Sequence, residues 1–276
     1  MSKTRILYVS QAIQPFLPES PISKASRQIP QSIHERGREI RVFMPRFGVI
    51  NERRHQLHEV IRLSGMNLNI NDTDHPLIIK VASIPTARMQ VYFIDNEHYF
   101  KKKVTWFDAK EKLVPDNDER AIFFARGVLE TVRKLSWAPD IIHCHGWMSS
   151  LVPLYAKQMF QDDAHFANTK IISSIYDEGF EGTLNGSMGD KVHYDGIDNA
   201  HLESIKLPTF SSLNTIAMEH SDAVIMGSES LPEATMKAFN SLEVPTMPYM
   251  DLDASAAEMT TFYDSILEGK TVAVEE

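Results

Sequence analysis

The feature that most constrains this chain is a repeated alternation. Short, almost uniformly apolar runs are each followed by a longer segment with helical spacing. The runs are Arg5 to Val9 (RILYV), Glu39 to Met44 (EIRVFM), Asp140 to Cys144 (DIIHC), Lys170 to Ile175 (KIISSI) and Ala223 to Met226 (AVIM). They show little polar–apolar alternation, as expected of strands covered on both faces. Helical patterns occupy Ser26 to Arg36 (stopped by Gly37), Asp118 to Leu135, Trp147 to Phe160, Leu202 to Glu219 and Leu231 to Phe239. A last helix is predicted from about Ala254 to Leu267, followed by a frayed acidic end. Strands alternating with helices predict an α/β domain with a doubly wound parallel sheet. Between about 57 and 94 the pattern changes to LHEVIRL, PLIIKVASI and RMQVYFI, with a turn at Asn71-Asp72-Thr73-Asp74 and no long helix. This block predicts an inserted antiparallel hairpin region. The Gly- and Asp-rich stretch 176–199 reads as a long loop. No repeat, low-complexity segment or linker divides the chain, so residues 1–276 read as one domain.

At 276 residues the chain can bury a full core without a staple. A single cysteine excludes a disulfide framework and a multi-Cys zinc site. With 28 Lys+Arg against 37 Asp+Glu the formal charge is −9, which argues against nonspecific binding to nucleic acid or anionic membranes. No stretch approaches the ~20 apolar residues of a membrane span, and the N-terminal run is too short for a signal segment. A reducing cytoplasm is the expected location.

In an open parallel sheet, ligands bind beyond the carboxyl ends of the strands. The loops after Val9, Met44, Cys144, Ile175 and Met226 are therefore the places to inspect. None holds G-x-G-x-x-G, G-x-x-x-x-G-K-[ST], G-x-S-x-G or H-E-x-x-H. The first loop, QAIQPFLPESPIS, has no glycine and carries Pro15, Pro18 and Pro21. Proline removes N–H donors and stiffens the chain, so a backbone phosphate cradle is not expected there. The densest polar cluster is His143-Cys144-His145-Gly146-Trp147, where a strand passes into a helix. Histidines at i and i+2 of a strand share a face. They suit a metal, a sugar hydroxyl or a phosphate, or else one is a hydrogen-bonded core histidine and the other lines a cleft. No third ligand clusters with them, so no metal is expected. Cys144 is expected to point into packing, and Lys101-Lys102-Lys103 to form a solvated face. The segment Tyr176-Asp177-Glu178-Gly179-Phe180-Glu181-Gly182 mixes carboxylates, aromatics and glycines. That mixture suits carbohydrate hydroxyls and ring faces, and equally a solvated loop.

Taken together, several segments resemble the N-terminal, acceptor-side half of bacterial glycogen synthases and plant starch synthases, the ADP-glucose-type glucan synthases. Pro15-Phe16, Ile29-Pro30, the run Glu35 to Val42 and Met44-Pro45-Arg46-Phe47-Gly48 resemble that family's opening and its "MPRYG" signature. Phe93 to Asn96, Tyr99-Phe100, Asn117 to Arg120, Phe123-Phe124 and Leu129-Glu130 match further blocks. Asp140 to Tyr155 (DIIHCHGWMSSLVPLY) resembles "DVVHAHDWHTALAPLY", and Ser221 to Val224 resembles the "AD-x-V" strand. The resemblance implies a single Rossmann-like domain, equivalent to the first half of a two-domain glycosyltransferase. Such enzymes move glucose from ADP-glucose to an α-1,4-glucan, with retention and without a metal. It further implies that the second, donor-binding domain is absent here.

Departures from the family fall on positions that handle the donor. The "K-T-G-G-L" loop aligns with Pro18-Glu19-Ser20-Pro21-Ile22, so a cation and two flexible residues give way to an acid and two rigid ones. In "HDWHT" the Asp becomes Gly146 and the second His becomes Met148. In "T-I-H-N-L-A-Y-Q-G" the His becomes Tyr176, the Asn becomes Asp177 and the Gln becomes Glu181, whereas His143, His145, Trp147 and Gly182 persist. The resemblance thus implies a catalytically silent relative with no catalytic residues and no cofactor. Its cleft or glucan-binding candidates are His143, His145, Trp147, Met148, Tyr176, Asp177, Glu181 and Gly182, beside a degenerate donor loop at Pro18, Glu19, Ser20 and Pro21. The partners it admits are an α-1,4-glucan, a glycosyltransferase chain or a second copy. The alternative is an active enzyme that borrows a donor-binding domain from another chain.

Overall fold

The computed structural model describes residues 3–252 and 255–269. In chain order the strands are β1 (Arg5–Ser10), β2 (Glu39–Pro45), β3 (His58–Glu59), β4 (Met66–Ile70), β5 (Thr73–Ile84), β6 (Met89–Asp95), β7 (Ile141–His145), β8 (Lys170–Ile175), β9 (Ala223–Met226) and β10 (Thr246–Met247). The helices are α1 (Pro21–Glu35), α2 (Glu52–His55), α3 (Glu97–Phe100), α4 (Asn117–Lys134), α5 (Leu151–Gln158), α6 (Met188–Tyr194), α7 (Phe210–Glu219), α8 (Glu233–Asn240) and α9 (Ser255–Glu268). The sheet order is β10-β9-β8-β7-β1-β2-β6-β5-β3, with β4 paired to β5.

Every pair from β10 to β6 is parallel. Beyond β6, strands β5, β3 and β4 add antiparallel. The sequence placed β6 inside the hairpin region; it also lies parallel to β2, with Val42 opposite Val91 and Met44 opposite Phe93. It is therefore the hinge between the two kinds of pairing. Ile6, Leu7, Tyr8 and Val9 are all essentially inaccessible, which is why β1 shows no alternation. One helical layer is α1 packed with α9 against β1 and β2, and a second holds α4, α5, α7 and α8. Each fully buried Leu, Ile or Phe side chain contributes roughly 1.5–3 kcal/mol to such a core.

Several boundaries differ from the sequence expectation for local reasons. Helix α1 begins at Pro21 and not at Ser26, because Ser20 forms a capping box with Ser23 and Pro21 fits the first helical position. The helix expected from Trp147 starts as a 3-10 turn, Trp147–Ser149, and becomes α-helical at Leu151, since Pro153 tolerates only a first turn. The helix expected from Leu202 is one short 3-10 turn, Glu203–Ile205, followed by α7, which opens after Pro208 with Thr209 as its cap. The expected loop 176–199 contains α6, anchored from outside: Lys191 Nζ lies 2.6 Å from Asp118 and 2.7 Å from Glu119. Next to it, Arg126 and Asp195 pair at 2.7 Å. Ala254 and the acidic end lie outside the described residues. Among the described residues no helix is long and apolar enough to cross a membrane.

Candidate functional site

The carboxyl ends of the parallel strands bring three features together. The first is the start of α1. Ser20 Oγ accepts the Ser23 N–H at 3.2 Å, and Ser23 Oγ accepts the Ser20 N–H at 2.8 Å. Pro21 has no N–H to offer. The Ile22 N–H donates to Glu178 Oε1 at 2.6 Å, and the Lys24 N–H donates to the Ser20 carbonyl at 3.0 Å. The first turn of α1 is thus saturated by the chain itself, with a carboxylate where a helix start favours an anion. The Lys24 ammonium is held by Glu19 at 2.5 Å, which raises the lysine and lowers the carboxyl from their ordinary pKa values. Pro18, Glu19 and Pro21 are exposed, and Ser20 is half-buried.

The second feature lies beneath the edge. The period of β7 places His143 and His145 on one face, with ring centroids 4.0 Å apart. His143 Nδ1 is 2.6 Å from Tyr263 Oη of α9, and its Nε2 is 2.7 Å from Ser174 Oγ of β8. His145 Nδ1 is 2.8 Å from Tyr176 Oη, and Tyr263 Oη is 3.3 Å from Tyr8 Oη. Burial drives His145 down to about 3 and His143 well below the ordinary imidazole range; His145 lowers His143 further. Burial also raises the Tyr8, Tyr176 and Tyr263 phenols. At neutral pH the network is therefore uncharged. His145 Nε2 is buried and has no hydrogen-bond partner among the described residues.

His143, His145, Trp147 and Met148 have no accessible surface, and Tyr176 is 3% exposed. The first four form a floor and do not line an open cleft: as placed, none of them can touch a glucan. Trp147 packs edge-on to Trp106 and Phe180, with centroids 6.4 and 5.0 Å away. The Met148 N–H donates to Gln11 Oε1 at 3.2 Å. Gly146 has φ +81°, and a Cβ there would stand 2.5 Å from Gln11 Oε1, so a side chain at this position would be strained and crowded. Asp177, Glu181 and Gly182 lie exposed on the loop after β8. Cys144 is buried, and burial raises its thiol, which makes it inert. Lys101, Lys102 and Lys103 are exposed. Among the described residues no three His, Cys, Asp or Glu side chains converge as a metal site.

The third feature is a cleft of about 480 Å3 between α1 and α9, over the ends of β8, β9 and β10. It is lined by Lys24, Ala25 and Ile29 of α1, Ser174, Tyr176, Met226, Gly227, the segment from Met247 to Leu252, and Met259 of α9. A Cβ on Gly227 would meet the Tyr176 ring at 2.5 Å, so glycine lets that ring lie flat on the chain. Sequence reasoning missed Glu178 as a helix cap, and it missed Gly227 and the methionines. Glu178 stood inside a loop already singled out, but its partner is far away in the chain. The methionines carried no spacing signal.

Residues 5–243 match the model of the starch synthase catalytic domain family. The glycogen synthase of Chlorobium limicola is 36% identical over 197 residues, covering 71% of this chain and 40% of that protein. That of Chlorobaculum tepidum is 39% identical over 183 residues, covering 65% of this chain and 37% of that protein. The catalytic domain of starch synthase IV from Arabidopsis thaliana, solved bound to ADP and acarbose, superposes with a TM-score of 0.73 at 15% identity. That match covers 92% of this chain and 53% of the plant chain. The similarity spans well under half of each glycogen synthase and about half of the plant domain.

Proposed function

Because the chain belongs to the starch synthase catalytic domain family, we propose that it is a catalytically silent glucan-synthase-type domain, which binds glucan or a partner protein in cytoplasmic storage-glucan metabolism. One observation carries the reading: the Ile22 N–H is bonded to Glu178 at 2.6 Å, at the start of a helix whose other first-turn donors are also engaged or removed. On the sequence resemblance, the family's donor-contacting "K-T-G-G-L" loop is expected at this point. A sugar-nucleotide phosphate arriving here meets the Glu178 and Glu19 carboxylates and no unpaired cation, since Lys24 is tied to Glu19. Charge-assisted donors are what phosphate recognition requires. Glucan contact then falls to the exposed loop bearing Asp177, Glu181 and Gly182.

The test is direct. The purified chain, incubated with ADP-glucose or UDP-glucose and glycogen, releases nucleotide only at background, and ADP leaves its thermal midpoint unchanged. Turnover by this chain overturns the reading. Turnover that appears only after addition of a co-purifying donor-binding chain establishes the alternative, an active enzyme assembled from two polypeptides.

A further inference from the structure

We propose that Asn185 is a self-modification site: the Gly186 nitrogen attacks its side-chain amide and converts it to aspartate and isoaspartate. This inference is independent of the silent-synthase reading, since it involves neither the cleft nor a transferred sugar.

Asn185-Gly186 is the one Asn-Gly pair in the sequence. Glycine has no Cβ to shield its own nitrogen or to restrict the backbone rotation that brings that nitrogen onto the preceding side chain. Both residues are exposed, and a Cβ on Gly186 would meet nothing within 4 Å. Among the described residues the Gly186 N–H has no acceptor that would hold it back. Asn96 and Asn117 differ: both are buried, and their amides donate to the Pro76 and Trp106 carbonyls at 2.8 and 2.9 Å.

Two donors converge on the atom where charge develops. The Ser187 N–H donates to Asn185 Oδ1 at 3.1 Å, and Ser187 Oγ donates to the same oxygen at 2.9 Å. When Gly186 N bonds to Cγ, an electron pair of the side-chain carbonyl moves onto Oδ1. Both donors stabilise that oxyanion, and the neighbouring nucleophile makes the attack intramolecular.

In the first step the Gly186 N–Cγ bond forms and the Cγ–Nδ2 bond breaks. The Gly186 proton leaves with Nδ2 as ammonia, and a cyclic succinimide remains. Water then opens the ring. Addition at Cγ gives aspartate, and addition at the Asn185 main-chain carbonyl carbon gives isoaspartate. Either route restores the Gly186 N–H and leaves a carboxyl that is ionised at neutral pH.

The fold gives the product a consequence. Upstream, the Leu184 N–H is held by the Pro208 carbonyl at 2.9 Å. Downstream, the Met188 N–H donates to the Asn185 carbonyl at 3.0 Å, and Met188 is fully buried at the start of α6. Isoaspartate inserts a methylene into the main chain between these fixed points and turns that carbonyl into a carboxylate. The turn into α6 is remade, while Lys191 and Asp195 still hold the helix to α4.

The test ages the full chain at neutral and mildly alkaline pH and follows its tryptic peptides by mass spectrometry. Peptide 171–191 contains no asparagine other than Asn185. It should gain about 1 Da and become a substrate for an isoaspartate methyltransferase. The gain should be faster at the higher pH, and at least about tenfold faster than in any other asparagine-containing peptide. Ser187→Ala keeps the N–H and removes the hydroxyl, and should slow the reaction roughly fivefold, the value of one hydrogen bond. Hydrogen exchange at residues 186–190 should rise in the aged protein. No mass gain in peptide 171–191 overturns the proposal without recourse to any variant. So does a rate in the folded chain far below that of a synthetic peptide 183–190, which would show that the turn shields Asn185. An unchanged or faster rate in Ser187→Ala overturns the assignment of Ser187 to the oxyanion.

Discussion

The start of α1 and the buried face of β7 and β8 are neighbours, yet they satisfy their polar groups in opposite ways. At the start of α1 every first-turn donor is answered locally by Ser20, Ser23 or Glu178, or removed by Pro21, near solvent and with full charges. Beneath the cleft, hydroxyls and imidazoles from β1, β7, β8 and α9 are linked without any charge, and His145 Nε2 has no partner among the described residues. A saturated charged end offers an anion no donor, whereas the neutral network keeps one buried nitrogen unpartnered among the described residues. The difference also separates two sensitivities: the helix start responds to salt, and the buried network responds to protons.

The largest expected break in this comparison is acid. His143 and His145 have folded pKa values below that of the unfolded chain, so the unfolded state takes up more protons as pH falls. Their contribution is fully present above about pH 6.5 and is lost below it. At pH 5 His145 alone costs about 2 kcal/mol, and His143 shifts stability in the same direction. Urea denaturation at pH 7 and pH 5 measures this, and His145→Gln should reduce the pH dependence. A flat profile would show that the imidazoles are not buried neutral.

Next comes the backbone that leads out of the network. Gly146→Ala places a Cβ in the left-handed region and against Gln11, and should cost about 2 kcal/mol by thermal or urea unfolding. At the helix start the effects are smaller. Ser20→Ala removes the cap and should cost about 1 kcal/mol. Glu178→Gln keeps an acceptor for the Ile22 N–H but discards the charge, and should cost about 0.5 kcal/mol, fading in high salt. That variant should still fail to bind ADP in calorimetry, because Pro21 has no N–H to release. ADP binding by Glu178→Gln would mean that the carboxylate alone closes the site.

Much of the fold was legible because burial on both faces leaves a one-dimensional trace. The runs from Arg5, Glu39, Asp140, Lys170 and Ala223 are β1, β2, β7, β8 and β9. The pairing of His143 with His145 followed from strand period alone. Helix α6 was not legible: its sequence is polar, and Lys191 is anchored to carboxylates on α4. The depth of the histidines was not legible either, since a strand's period gives a face but not what covers it. Here the cover includes α9, whose Tyr263 reaches His143.

The sequence by itself determined the alternation of strands and helices, the absence of cation and glycine from Pro18 to Pro21, and the shared face of the two histidines. Each of these is a local property, set by side-chain period, by proline's missing donor or by residue chemistry. Only the tertiary structure decided that Glu178 caps α1, that the histidines are sealed and neutral, and that methionines from four separate positions wall one cleft. Those outcomes depend on groups far apart in the chain arriving within a few ångströms, and on the water their arrival excludes.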